Sequence, residues 1–241
     1  FTNIYGQLGS FLLFSFFILL GFLFWKPKSV FSLDTLGYLM LLGILICGVI
    51  TLQSRAVAAG FTAGMLVFTF LILSFRWRIL ILFLATTIAL FFLQNTLELF
   101  SSTYHAIVDL QVSTVDSRLA GYSDALRIVA KHPLGIGQGG FGELTDHNPV
   151  LHHTFLDAYV STGWIGGTAL CLAVLMPLIA LYNKAISQNA LAAGFVAGYI
   201  SVFFVLNLYS GLTEYFFWLL IPLGIVLAQR LNRYAYLDCR D

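Results

Sequence analysis

Five histidines lie in one polar stretch of the chain, residues 95–156: His105, His132, His147, His152 and His153. Histidine has an ordinary pKa close to neutrality, so its imidazole is well suited to accept a proton from a reacting hydroxyl at physiological pH. Three arginines are candidate partners for such a base, namely Arg118 and Arg127 in the same stretch and Arg55 earlier in the chain. Because a guanidinium can bind two phosphate or carboxylate oxygens at once, this combination predicts proton transfer beside a bound anion.

Two other interpretations of the histidine group are loop histidines without a function, which is the stronger of the two, and a metal site. Carboxylates stand close to the last three histidines in the sequence, at Glu143, Asp146 and Asp157. Their order, however, matches neither the His-Glu-x-x-His pattern nor a paired Cys/His pattern of zinc proteins. The three cysteines show no paired spacing either. We therefore predict no metal, no cofactor and no disulfide framework.

A glycine-rich segment follows Pro133, with the sequence Gly-Ile-Gly-Gln-Gly-Gly-Phe-Gly over residues 135–142. It formally contains the Gly-x-Gly-x-x-Gly pattern of dinucleotide-binding proteins. That pattern needs a preceding strand, and here it comes directly after a helix stop. We predict instead a flexible backbone turn that acts as a hinge or a substrate-gating loop.

The composition indicates which elements must hold these residues. Of the 241 residues, 59% are hydrophobic and only 10% are charged, which is far from the composition of a soluble domain. No basic stripe suggests nucleic-acid binding. Apolar runs long enough to cross a bilayer fall at residues 8–25, 36–53, 56–75, 79–95, 156–182, 190–209 and 212–229. We predict an all-α, polytopic membrane helical bundle with about seven transmembrane helices and one large extracytoplasmic loop.

Lysine and arginine residues indicate the orientation of the bundle. Eight of them follow odd-numbered spans, at Lys26, Lys28, Arg76, Arg78, Lys184, Arg230, Arg233 and Arg240. Because cations in short loops gather on the cytoplasmic side, this pattern places the histidine-bearing loop outside the cytoplasm. We predict four spans over residues 1–95, a periplasmic loop carrying the catalytic residues over 96–155, and three spans with a cytoplasmic tail over 156–241.

Arg55 departs from this charge pattern. It stands in the short segment between the second and third predicted spans, on the side that is otherwise poor in cations. One interpretation is an arginine that reaches the lipid headgroups and anchors the helix. The other interpretation is an anion-binding residue at the mouth of the bundle. The spacing alone does not decide between them.

A short amphipathic helix is predicted inside the loop, capped by Asp116-Ser117 and stopped at Pro133. Its apolar residues recur at helical spacing: Leu119, Tyr122, Leu126 and Val129. Arg118 and Arg127 are nine residues apart, which at roughly 100° per residue places them on opposite faces. Because a helix N-terminus favours anions, we favour Arg118 as the ligand residue and expect Arg127 on the solvated face.

Several motifs of the chain occur in the order and spacing of a known family. They are Phe1-Thr2-Asn3 and Ser54-Arg55-Ala56, each opening a span; Ser117-Arg118, Tyr122, Ala125-Leu126 and Phe141 in the loop; His132-Pro133-Leu134-Gly135-Ile136-Gly137; and Gly163-x-x-Gly166 after a histidine. Together they resemble the O-antigen ligase and polymerase superfamily over most of the chain. The resemblance implies that further helices precede Phe1.

The resemblance also selects among the histidines. The family carries a histidine followed by ten residues and a glycine at the end of its large periplasmic loop, and His152 with Gly163 fits this spacing. Neither His147 nor His153 has a glycine at that distance. The family commonly has asparagine directly after its histidine, whereas this chain has His153.

What the resemblance implies is a ligase or polymerase that faces the periplasm from the bacterial inner membrane and needs no metal. It would transfer an oligosaccharide, with inversion, from an undecaprenyl-diphosphate donor to a hydroxyl of lipid A core, a growing polysaccharide or a protein. His152 would be the base, and Arg55 with Arg118 would bind the diphosphate. The candidate substrate-binding residues are Arg127, Tyr122, His153, His147 and Gly163.

Two other functions remain as alternatives. One is a transporter or flippase for the same lipid-linked oligosaccharide, and the other is a zinc-dependent membrane enzyme. A transporter should carry polar residues and broken helices in the middle of its spans, whereas the titratable groups of this chain gather in a loop. The expected partners are the lipid-linked glycan, its acceptor and membrane lipids, with no nucleic acid.

Overall fold

The computed structural model describes residues 2–25, 33–52, 54–72, 119–145, 151, 153–187, 189–208 and 215–238. Within these ranges every regular element is a helix, which confirms the predicted all-α fold. The helices are α1 (Thr2–Trp25), α2 (Leu33–Thr51), α3 (Arg55–Ile72), α4 (residues 119–131), α5 (Gly140–Leu144), α6 (Thr154–Ile186), α7 (Ala190–Leu208) and α8 (Tyr215–Asp238).

Six of these helices coincide with predicted spans. Four are long and apolar enough to cross a membrane, at Gln7–Trp25, Asp34–Thr51, Thr154–Ile186 and Ala190–Asn207. Two shorter apolar helices, Ala56–Ile72 and Trp218–Leu231, match the predicted third and seventh spans. The predicted fourth span lies outside the described ranges, so the number of seven stays a prediction. The described chain is thus a helical membrane bundle. Helices suit a bilayer because they satisfy their own backbone hydrogen bonds where lipid offers no partner.

The chain divides into two compact units. One comprises Phe1–Ile72 together with Ala169–Asp241, and the other comprises Leu73–Thr168. Helix α6 contributes its first residues to the second unit and its remaining residues to the first. The three-part division that the sequence suggests concerns membrane topology, and it stays a prediction.

Helix α7 is central to the first unit, where α1 and α3 pack along it and residues 190–199 are all buried. Small residues allow the close approach. A Cβ atom on Gly194 would lie 2.9 Å from the Cα of Gly21, and one on Gly60 would lie 2.7 Å from the carbonyl oxygen of Ser201. The Ser201 hydroxyl also donates a hydrogen bond to the Gly60 carbonyl at 2.7 Å. Membrane helices associate through such contacts because lipid tails are as apolar as the helices themselves.

The second unit is built around one apolar cluster, to which α4, α5, α6 and the segment before α6 contribute. Its buried members are Ala125, Val129, Phe141, Leu151 and Val160. Helix α5 has only five residues, and its buried residue Phe141 lies in this cluster. The cluster therefore holds together the part of the loop that the structure describes.

Helix α4 is amphipathic and ends at residue 131, before Pro133, as predicted. Of its predicted apolar residues, Val129 is buried and Tyr122 packs against the cluster, whereas Leu119 and Leu126 are 59% and 61% exposed and Ala125 is fully buried instead. Tertiary packing, and not the sequence of α4 itself, determines which of its residues are buried. The cluster approaches α4 on the stripe that carries Ala125 and Val129, and the two leucines fall outside that stripe.

Candidate active site

Helix α6 begins directly after His153, and the side chain of His153 caps it. The Asp157 N–H donates to the His153 carbonyl at 2.9 Å, which is the first hydrogen bond of the helix. The Leu156 N–H donates to Nδ1 of the His153 imidazole at 3.3 Å. The N–H groups of a first helical turn lack partners within the helix, so a side chain that accepts one stabilises the helix by about 1 kcal/mol.

The ring of His153 is half-buried against α4. Its centroid lies 5.6 Å from that of the Tyr122 ring in an edge-to-face arrangement. Burial lowers the pKa of His153 below its ordinary value of 6.5, because it disfavours the charged imidazolium. At neutral pH the ring is therefore neutral, with Nδ1 accepting the Leu156 hydrogen bond and the proton on Nε2. The substrate-binding candidate His153 is thus placed at a helix cap.

Two further candidates lie on α4. Tyr122 is half-buried, packs against the apolar cluster and faces His153. The side chain of Arg127 is 75% exposed and lies 3.7 Å from the Asp124 carboxylate. An exposed pair of this kind contributes little to stability. The structure therefore brings Tyr122 to His153 and leaves the Arg127 guanidinium on the solvated face.

A backbone break interrupts α6 at Gly163. This glycine has φ 71° and ψ −168°, a conformation that residues with a side chain rarely adopt. The break separates residues 154–162 from residues 164–186. At 1.5 Å per residue the second segment is about 34 Å long, which is enough to cross a bilayer.

The glycine-rich turn binds this break through main-chain hydrogen bonds. The Ile136 N–H donates to the Val160 carbonyl at 2.9 Å, and the Trp164 N–H donates to the Pro133 carbonyl at 2.9 Å. In an unbroken helix the Val160 carbonyl and the Trp164 N–H would bond to each other. The break at Gly163 separates them, and the turn gives a new partner to each.

Gly135 makes the closest approach of the turn to the break. A Cβ atom on Gly135, whose φ is 84°, would lie 2.5 Å from the Ser161 carbonyl oxygen and 2.6 Å from the Gly163 nitrogen. Both the positive φ and the contact require glycine. The N–H groups of Gly135 and Gly137 donate to the carbonyls of His132 and Ser161, so they are not presented to a phosphate. The turn is thus anchored on α6, whereas its composition suggested a flexible loop.

Arg55 is the first residue of α3, at the predicted start of the third span. Ser54 caps the helix, since its Oγ accepts the Val57 N–H at 3.4 Å and its carbonyl accepts the Ala58 N–H at 3.0 Å. A groove of about 460 Å³ runs between α2 and α3 and reaches Ser54. Its other lining residues are Ile46, Val49, Ile50, Ala58, Phe61 and Thr62. An apolar groove therefore ends beside the residue before Arg55.

A family model for O-antigen ligases matches residues 39–171, which is more than half of the chain. The chain belongs to the O-antigen ligase family. Comparisons with curated proteins and with solved structures gave no match. Membership confirms the resemblance suggested by the motifs, and it implies a ligase- or polymerase-type glycosyltransferase that acts on a lipid-linked glycan and an acceptor.

The family match covers α3, α4, α5, the anchored turn and the break in α6. Three candidate site residues, Arg118, His147 and His152, lie outside the described ranges, and for Arg55 the structure describes the backbone. Their roles stay predictions. The two neighbours of His152 are described: Leu151 is buried in the apolar cluster, and His153 caps α6.

Sequence reasoning missed two features of this O-antigen ligase family member. The first is the cap by His153, for which the only signal is its position before an apolar run, because histidine is not among the usual N-cap residues. The second is the contact of Gly135 with Gly163, which joins two distant parts of the chain and has no local signal.

Proposed function

We propose that this protein is a glycosyltransferase of the bacterial inner membrane whose active loop faces the periplasm. It transfers an oligosaccharide from an undecaprenyl-diphosphate donor to a hydroxyl group of lipid A core, of a growing polysaccharide or of a protein. The observation that carries the proposal is the family match over residues 39–171, which includes both the loop with the candidate base and the helix that begins with Arg55.

In the proposed reaction, the acceptor hydroxyl loses its proton to His152 while its oxygen attacks the anomeric carbon of the donor sugar. The bond between that carbon and the diphosphate oxygen breaks, and its electron pair leaves with undecaprenyl diphosphate. The attack comes from the opposite face, so the configuration inverts. Arg55 and Arg118 balance the charge that develops on the leaving oxygen, which makes a metal unnecessary for this step.

The groove beside Arg55 supports a lipid-linked donor. It lies between the membrane helices α2 and α3, and its lining is largely apolar. A polyprenyl chain fits such surroundings, and its diphosphate would then lie where Ser54 caps α3 and Arg55 begins it. The dipole of a helix N-terminus favours anions and adds to the charge of the arginine.

A transfer assay with the purified protein tests the proposal. The donor is undecaprenyl diphosphate carrying a defined oligosaccharide, and lipid A core, a second donor molecule and an acceptor protein are offered separately. We expect product with at least one acceptor, in equal yield with and without EDTA. Loss of product in EDTA would favour the zinc-dependent alternative. Movement of the donor across vesicles without product would indicate a flippase.

Variants in the same assay identify the base. Loss of a general base lowers rates by about 10²–10⁴-fold, so we expect His152→Ala to lose at least about a hundredfold in kcat. His132→Ala is the control, because His132 is exposed just after the end of α4 and lies outside the candidate site. Activity in His152→Ala combined with loss of activity in His147→Ala would contradict the assignment.

The Arg55→Lys variant, measured in the same assay, shows whether Arg55 binds the diphosphate or anchors α3 at the lipid headgroups. Lysine keeps the charge and loses the bidentate geometry, so we expect transfer to fall nearly as far as in Arg55→Ala. Wild-type transfer by Arg55→Lys would mean that Arg55 anchors the helix at the lipid headgroups.

A further inference from the structure

His153 stands next to the proposed base in the chain, and its own ring is engaged in holding the structure. Nδ1 accepts the Leu156 N–H, and the ring packs edge-to-face with Tyr122. With Nδ1 occupied, the neutral ring carries its proton on Nε2. A second proton could be accepted only by breaking the hydrogen bond to Leu156. His153 is therefore poorly suited to act as the base of a transfer reaction.

We propose that His153 is a positioning residue, which holds its neighbour His152 at the transfer site by capping α6. This inference rests on the proposed function, because it takes His152 as the base. The property that matters is the hydrogen bond from Leu156 to the side chain of residue 153. The acid–base chemistry of the His153 imidazole is not used.

The anchoring of both neighbours of His152 carries the inference. On one side, Leu151 is only 5% exposed and belongs to the apolar cluster of the second unit. On the other side, the His153 carbonyl is bonded to the Asp157 N–H and its ring to the Leu156 N–H. His152 is thus joined by peptide bonds to two residues that these contacts hold, and the cap on α6 is one of the two sets of contacts.

The cap also joins two elements of the loop. The His153 ring meets Tyr122 on α4, and α4 contributes Ala125 and Val129 to the cluster that holds Leu151. Loss of the cap would therefore loosen one of the two anchors of His152. A displacement of about 1 Å at a reacting group can lower the rate by about a hundredfold, so a modest local change would be measurable in kcat.

Replacement of His153 by asparagine and by glutamine tests the cap separately from the imidazole. Asparagine is among the best N-cap residues, whereas the extra methylene of glutamine carries the amide oxygen away from the Leu156 N–H. His153→Ala removes the acceptor. In the transfer assay we expect His153→Asn to keep kcat within about threefold of the wild type. We expect His153→Gln and His153→Ala to lose about tenfold or more in kcat, with a similar KM for the donor.

Hydrogen exchange at the Leu156 amide provides a readout that does not depend on activity. Without the cap, the first turn of α6 opens more often. We expect exchange at Leu156 to be about fivefold faster in His153→Ala and His153→Gln, and unchanged in His153→Asn. The three variants can thus be compared even where transfer is too slow to measure.

Two results would overturn the proposal. Inactive His153→Asn with wild-type exchange at Leu156 would mean that the imidazole itself is needed. Wild-type kcat in His153→Ala, whatever its exchange, would mean that the cap positions nothing in the reaction. A wild-type protein that transfers no glycan would instead remove the proposed function, and exchange at Leu156 would then report on the cap alone.

Discussion

His152 and His153 are adjacent residues of one type, and the surroundings of His153 give it a role different from the one proposed for His152. The His153 ring accepts a helix N–H through Nδ1 and is half-buried beside Tyr122. A histidine used in this way must stay neutral, because a protonated Nδ1 is no longer an acceptor. Asparagine could fill the same position. The proposed base thus stays His152, while the contacts of His153 are those of a helix cap.

The cap should make the stability of the protein depend on pH. Burial lowers the pKa of native His153 below 6.5, so between pH 6.5 and that lower value the unfolded chain binds more protons than the native one. Acidification through this window destabilises the native state, while above it His153 is neutral in both states. Among the described residues, the Tyr122 ring faces the His153 ring, and Asp157 contacts His153 through its backbone N–H.

We expect the thermal midpoint of the detergent-solubilised protein to fall further on acidification from about pH 7.5 to about pH 5.5 than that of His153→Asn. The two proteins differ only at residue 153, so the difference between their pH curves reports on this side chain. Parallel pH curves for the two proteins would contradict the prediction.

At the level of elements, the break in α6 and the glycine-rich turn depend on each other. The break leaves the Val160 carbonyl and the Trp164 N–H without their helical partners, and residues of the turn bind both. The same hydrogen bonds, together with the one from the Gly137 N–H to the Ser161 carbonyl, hold the turn on α6. Because the turn connects α4 to α5, this pairing fixes the path of the chain between two elements of the loop.

Alanine substitutions at two glycines compare two causes of lost stability, namely the strain of a positive φ and the steric contact of the added Cβ atom. Both Gly163 and Gly137 have positive φ, of 71° and 84°. A Cβ atom on Gly163 would lie 2.5 Å from the Leu134 carbonyl carbon, whereas one on Gly137 would meet nothing within 4 Å. We expect Gly137→Ala to lose about 1 kcal/mol of unfolding free energy, and Gly163→Ala to lose about 3 kcal/mol or more. Thermal unfolding in detergent measures the difference, and equal shifts would show that the contact is unimportant.

Over the whole molecule, burial separates helices that pack on protein from helices that face outward. Helix α7 is buried along residues 190–199, whereas α2 exposes large apolar side chains such as Met40 and Ile50. An exposed apolar helix face suits contact with lipid. The cations at the ends of the predicted spans predict an orientation of the bundle, and with it the side of the membrane on which the loop would act.

The orientation predicts opposite labelling at two exposed residues. Gln138 lies in the anchored turn, and Ser187 lies between α6 and α7. In a protein whose native cysteines are replaced by alanine, Gln138→Cys should react with a membrane-impermeant maleimide in intact cells. Ser187→Cys should react only after the inner membrane is permeabilised. The reverse pattern would contradict a periplasmic active loop.

The sequence by itself was sufficient to predict the six described apolar helices, the end of the loop helix and the family. Helices were found at the runs 8–25 and 190–209 because apolar length is a property of a continuous segment. Helix α4 ends before Pro133 for a similarly local reason, since proline cannot continue the helix. The family followed from the order of short motifs, each of which can be read within a few residues.

Only the tertiary structure decided which face of α4 is buried, what His153 does and why Gly163 is a glycine. Leu126 is as apolar as any core residue, yet it is exposed, because the cluster meets α4 on the stripe of Ala125. His153 became a cap because α6 starts directly after it, and Gly163 must lack a side chain because Gly135 approaches it closely. Each of these outcomes depends on residues that meet only when the chain is folded, so no local pattern could contain it.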